Sequence, residues 1–216
     1  PCNNSCTINQ YCNIETDLCV DLTKMSVADV RALTEPTYVW TEGVVSKVER
    51  KNPTTANIFF QDASTPYSGL QIYYKNAPVP SLSVGDKIKV IGLAHDYQGF
   101  IEIGSDVEQP TIEILESNVE IQHKEINSSE VNAENLYIVV SMLNPPFTAT
   151  RVDGYYTTVK DSLNNTFIIK TDWIGEYLLV GDVFSTIQGV VYYRKVGDTV
   201  TFNVNPRNLD EILLAE

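Results

Sequence analysis

Cys2, Cys6, Cys12 and Cys19 are the residues best suited to covalent or metal chemistry, and all four fall in the first nineteen positions. Four cysteines allow three pairings, which sequence alone does not separate. The arrangement Cys2–Cys12 with Cys6–Cys19 is the one we expect. Structural zinc normally needs two close cysteine pairs or histidine partners. Here Cys12 and Cys19 are far apart and the nearest histidine is His95, so disulfides are the expectation. They would staple a segment too small to own a core, and they imply an oxidising, extracellular or cell-surface setting.

Little else has the spacing for catalysis. His95 precedes Asp96 at an expected exposed turn, and His123 lies in a polar stretch. No nucleophile elbow, HExxH pair, phosphate loop, dinucleotide fingerprint or calcium loop is present. We therefore expect no catalytic residue, no metal and no cofactor. Asp62, Asp161, Asp182 and Asp198 fall at turns, where a carboxylate accepts local backbone N–H groups.

The remaining candidate chemistry is binding. Lys47, Arg50 and Lys51 cluster at one loop, and Phe59, Gln71 and Tyr73 alternate away from a run of apolar neighbours. Aromatics interleaved with cations suit single-stranded nucleic acid. The charge opposes this: 216 residues carry a net −13, with −2 in residues 1–20, −5 in 21–116 and −6 in 117–216. Such acidity repels polyanions at long range. The second half shows no comparable cationic loop.

These residues need a scaffold, and the pattern supplies a β one. Twelve tyrosines, many β-branched residues and short alternating runs between Gly, Pro and Asn predict strands. Expected strands are 38–49, 56–61, 70–74, 87–93 and 100–103, then 136–143, 155–160, 166–171, 183–193 and 199–204. A bulge or sharp coil is expected at Gly43, short helices at 26–33 and 174–179, and a linker or short helix at 122–135. No stretch is long and apolar enough to span a membrane. The chain begins with Pro1 rather than Met, from which removal of an upstream segment is expected.

The two halves repeat. Phe60-Gln-Asp-Ala63 matches Val159-Lys-Asp-Ser162, and Val-Gly-Asp recurs at 84–86 and 180–182. Five short strands, the first long and coiled, with Val-Gly-Asp entering the fourth, fit an OB-type barrel. The prediction is an all-β chain: a four-cysteine segment (1–20), a first OB-like barrel (21–116) and a second (117–216).

The segments Thr41-Glu-Gly-Val-Val-Ser-Lys-Val, Ile58-Phe-Phe-Gln-Asp, Leu70-Gln-Ile-Tyr, Val84-Gly-Asp-Lys-Ile-Lys-Val-Ile-Gly and Gly99-Phe-Ile-Glu-Ile resemble OB-like modules appended to secreted bacterial nucleases and surface proteins. Asn205-Pro-Arg-Asn-Leu-Asp-Glu-Ile212 is similar to their closing segment. The resemblance runs over residues 38–105 and, less closely, 136–212. It implies a barrel without chemistry of its own. Two functions are weighed. The first is a non-enzymatic extracellular structural or interaction protein, a subunit of a surface or filamentous assembly that self-associates or binds protein partners. The second is a module binding nucleic acid or oligosaccharide.

Overall fold

A computed structural model describes residues 6, 7, 9–13, 16–106 and 108–215. The chain divides into two compact units: 1–62 with 70–120, and 63–69 with 121–216. Among the described residues, no helix is long and apolar enough to cross a membrane.

The first unit opens with a hairpin, β1 (Gln10–Asn13) and β2 (Leu18–Asp21). A disulfide joins Cys6 to Cys19, as expected. Cys12 is also disulfide-bonded; its expected partner Cys2 lies outside the described residues. The hairpin does not stand apart from the barrel. Tyr11 stacks on Tyr38 with ring centroids 4.0 Å apart, and Lys89 donates to Asn9 while lying 4.6 Å over the Trp40 ring.

Helix α1 (Val27–Arg31) follows, capped by Ser26. Then come β3 (Thr37–Asn52), β4 (Thr55–Gln61), β5 (Gly69–Lys75), β6 (Lys87–Tyr97) and β7 (Phe100–Ile103). Their order, β3-β4-β5-β7-β6, closes through β3–β6 pairing, and β5 runs parallel to β7. This is the five-stranded OB barrel. β8 (Thr111–Glu116) adds to β6. Alternation sends Ala56, Ile58, Phe60, Leu70, Ile72 and Ile103 into a dry core.

The second unit repeats the plan. β9 (Lys124–Ile126) leads through two short 3-10 turns to β10 (Val139–Met142) and β11 (Phe147–Asp153). β12 (Tyr156–Lys160), β13 (Thr166–Lys170), β14 (Val183–Val196) and β15 (Thr199–Asn205) complete the barrel, and β16 (Ile212–Leu214) adds to β14. The order β11-β12-β13-β15-β14 closes through β11–β14, with β13 parallel to β15.

The sequence repeat has a structural cause. Each first strand carries a bulge at the same point, between Val45 and Lys47 and between Ala149 and Arg151. Onto each bulge docks a Val-Gly-Asp turn. Val45 N donates to Asp86 O (2.8 Å) and Gly85 N to Val45 O (2.9 Å); Ala149 N donates to Asp182 O (2.8 Å) and Gly181 N to Ala149 O (2.9 Å). The glycines take φ of +90° and +99°, a region costly for a side chain. Each aspartate then caps its own turn, through Ser83 N and Leu179 N, both at 2.7 Å.

Four expectations need correcting. The bulge falls at Ser46, not Gly43, whose added Cβ would meet Phe60 Cδ2 at 2.6 Å. The predicted strand 136–143 is not the barrel's first strand: Asn144-Pro-Pro146 breaks it, because proline cannot donate to a ladder, and β11 takes that place. Residues 174–179 form no helix: 174 and 175 close a turn, and 176–179 are irregular. His95 is not a solvent-exposed turn residue but lies within β6, with its side chain 23% exposed.

Candidate functional site

The predicted face of the first barrel forms only in part. Lys47 pairs with Phe59 across β3 and β4, and Phe59, Gln71 and Tyr73 all point away from the core. Yet Phe59 is fully buried and Gln71 is 5% exposed, so neither offers a surface on which a ligand could stack. Gln71 Nε2 donates to Glu102 Oε2 at 2.9 Å. Glu102 is itself 5% exposed, and burial pushes its carboxyl up to about 7. His95 Nε2 stands 3.8 Å from Glu102 Oε1. Tyr73 remains half-buried beside Lys75 and Asp106.

Arg50 and Lys51 are exposed but already engaged. Arg50 donates to the carbonyls of Pro80 (2.7 Å) and Val79 (3.5 Å). Lys51 lies 3.4 Å from Glu49. Arg50 thus ties the end of β3 to residues 79 and 80, while Lys51 pairs within β3 itself.

The second barrel carries the arrangement that was expected of the first. On the outer face of β12 and β13, Tyr156 and Lys170 are direct cross-strand partners. Lys170 Nζ lies 5.4 Å from the Tyr156 ring centroid. Arg194, from the β14–β15 hairpin, brings its guanidinium to 4.9 Å from the same centroid. One ring thus has two cations over it, drawn by the electron-rich ring faces. At the adjoining β11–β12 turn, Tyr155 stacks on Tyr177 at 4.4 Å, and Tyr177 is 63% exposed. Their mutual hydrogen bond raises the Tyr155 phenol above its usual range. Trp173 packs 5.9 Å from Tyr192, which lies 5.4 Å from Tyr193. Lys170 is also ion-paired with Asp172, so Arg194 is the more exposed cation.

The second half thus carries its cations on strands, Lys170 in β13 and Arg194 in β14, rather than in a loop. The signal was available as the doublets Tyr155-Tyr156 and Tyr192-Tyr193-Arg194-Lys195, each beside a hairpin turn. Linear spacing hid it, because barrel closure is what brings Tyr156, Lys170 and Arg194 together.

Paired aspartates brace the barrel ends. Asp62 Oδ2 accepts from Val27 N at 2.8 Å, and burial raises its carboxyl above the ordinary value. Its counterpart Asp161 accepts from Ser128 Oγ (2.7 Å), Leu163 N (2.9 Å) and Asn165 N (2.8 Å). Burial pushes Asp161 up too, but these donors outweigh it and hold the carboxyl below the usual range. Among the described residues, no cluster of three or more His, Cys, Asp or Glu could hold a metal ion.

No family model matches the chain, and no curated protein matches it. Solved structures do. One is a replication protein A heterotrimer bound to single-stranded DNA: 6% identity, covering 99% of this chain and 74% of that one, TM-score 0.31. Another is a murine DNA-binding protein with double-stranded DNA: 13% identity, 84% and 98%, TM-score 0.37. A third is fission yeast Pot1 with single-stranded DNA: 9% identity, 92% and 86%, TM-score 0.32. Against the first expectation, a structural or interaction subunit, all three are described with DNA, as the second expectation has it. The OB fold itself rests on the strand order above.

Proposed function

We propose that this protein is a non-catalytic OB module that binds short single-stranded nucleic acid on the outer face of β12 and β13. The observation that carries this reading is Tyr156 flanked by Lys170 and Arg194, beside the Tyr155–Tyr177 stack. OB barrels use this face for extended ligands. Aromatic rings accept any base, at about 1–3 kcal/mol per stacked base. The net charge of −13 limits the phosphate contribution, so stacking would supply most of the affinity. The Cys6–Cys19 disulfide supports an extracellular setting, in keeping with the resemblance to modules of secreted proteins.

The test is a fluorescence-anisotropy titration of the full chain with a labelled oligothymidylate of about 12 nucleotides. With two or three phosphate contacts, log affinity should fall with log salt at a slope of about −2. Tyr156→Ala should weaken binding about tenfold or more. Absence of binding at low salt would refute the reading. The same acidity favours an uncharged ligand, so an oligosaccharide belongs in the same titration. Salt-independent binding of sugar in preference to the oligonucleotide would assign the face to carbohydrate.

A further inference from the structure

A cavity of about 320 Å³ lies in the second unit, lined by Ser128, Val131, Thr158, Thr166, Phe167, Ile168 and Phe202. Thr158 and Ile168 are cross-strand partners, one same-face position beyond the Tyr156–Lys170 pair. At a strand rise of about 3.4 Å per residue, the cavity begins about 7 Å from the Tyr156 platform. No Lys, Arg, Asp or Glu lines it. Thr158, Thr166 and Ile168 reach it from the outer face and Phe202 supplies a ring, while the Phe167 ring packs edge-on against Phe147 in the core behind it; the threonine hydroxyls both donate and accept hydrogen bonds. A phosphate would find no counter-charge there. A flat, uncharged ring with polar edges fits both the walls and the volume.

We propose that this cavity is a nucleobase subsite. It takes the base next to the one at Tyr156, while the backbone phosphates stay on the Arg194 side. The inference rests on the proposed nucleic-acid reading. Since the hydroxyls can donate or accept, the pocket distinguishes a base from no base and does not select a sequence.

Two measurements test it, both with the full chain and an oligothymidylate of about 12 nucleotides. In the first, a single abasic residue is walked along the strand with wild-type protein. Affinity should drop about tenfold when a base-bearing position is removed from the cavity register. Uniform affinity across all abasic positions would overturn the subsite. In the second, Thr166→Trp, at an exposed strand position that tolerates aromatics, fills the cavity. It should weaken the intact strand about tenfold and abolish the abasic penalty, whereas Thr166→Val should bind like wild type. Equal or tighter binding by Thr166→Trp would also overturn the subsite. A wild-type protein that binds no strand refutes the parent reading instead, so the two failures are distinguishable.

Discussion

Glu102→Gln should make the protein more stable at alkaline pH and remove a pH dependence that the native chain has. Glu102 is 5% exposed, and its carboxyl is raised from 4.5 to about 7, chiefly by burial and against the Gln71 hydrogen bond. Between these values the folded protein holds a proton that the unfolded chain has lost. Stability must therefore fall as pH rises through that window, and the loss is complete above about 7. At 1.36 kcal/mol per tenfold change, the whole window is worth about 3 kcal/mol. That is a ceiling, because structural relaxation and water penetration reduce the cost of a buried charge in real proteins. Gln keeps the shape and still accepts from Gln71 Nε2, but it cannot ionise. Urea unfolding of both proteins across about pH 5 to 8 measures the difference directly. The variant's advantage should be below about 1 kcal/mol at about pH 5 and grow to about 2–3 kcal/mol at about pH 8. A difference that stays constant across the range, or a variant that is weaker at high pH, would refute the reasoning.

The duplicated features make further contrasts. Asp161→Asn should cost about 2–4 kcal/mol in chemical denaturation, because four donors converge on the buried carboxylate; Asp62→Asn, with one bond from α1, should cost about 1 kcal/mol. Gly85→Ala should destabilise more than Gly181→Ala. Both positions impose positive φ, worth about 1–3 kcal/mol, but only at Gly85 does the new Cβ also meet a neighbour, Val119 O at 3.1 Å. Replacing Cys6 and Cys19 by Ser should release about 3 kcal/mol of constraint on the β1–β2 hairpin. Hydrogen exchange should then quicken at residues 10–21 and stay slow in β4 and β5.

What the sequence disclosed, and what it hid, follow from different physics. The Val-Gly-Asp turns and the aspartates after the second strands were legible because backbone demands fix residue type: a positive φ wants glycine, and unpaired N–H groups want a carboxylate. Barrel topology followed from that punctuation. The break at Asn144-Pro-Pro146 displaced one expected strand because an apolar run before a proline reads the same whether or not it enters the barrel. Alternation correctly sorted Phe59 and Gln71 onto the outer face, yet alternation reports direction and not burial. Arg194 and Lys170 are strangers in the sequence and neighbours at Tyr156, a fact that only strand closure creates.

The division of the chain into units has a consequence for how the molecule is made. The second unit is not one stretch of polypeptide, since residues 63–69 belong to it although they follow β4 and run into the first residue of β5. Tyr67 N donates to Glu134 O at 2.6 Å, and a Cβ on Gly69 would meet the Tyr137 backbone at 2.5 Å. A ribosome thus delivers a fragment of the second barrel before that barrel's own strands exist. These seven residues wait inside a hairpin that is already folding, and the later unit finishes around them. Cutting the gene near residue 120 would yield no self-sufficient halves.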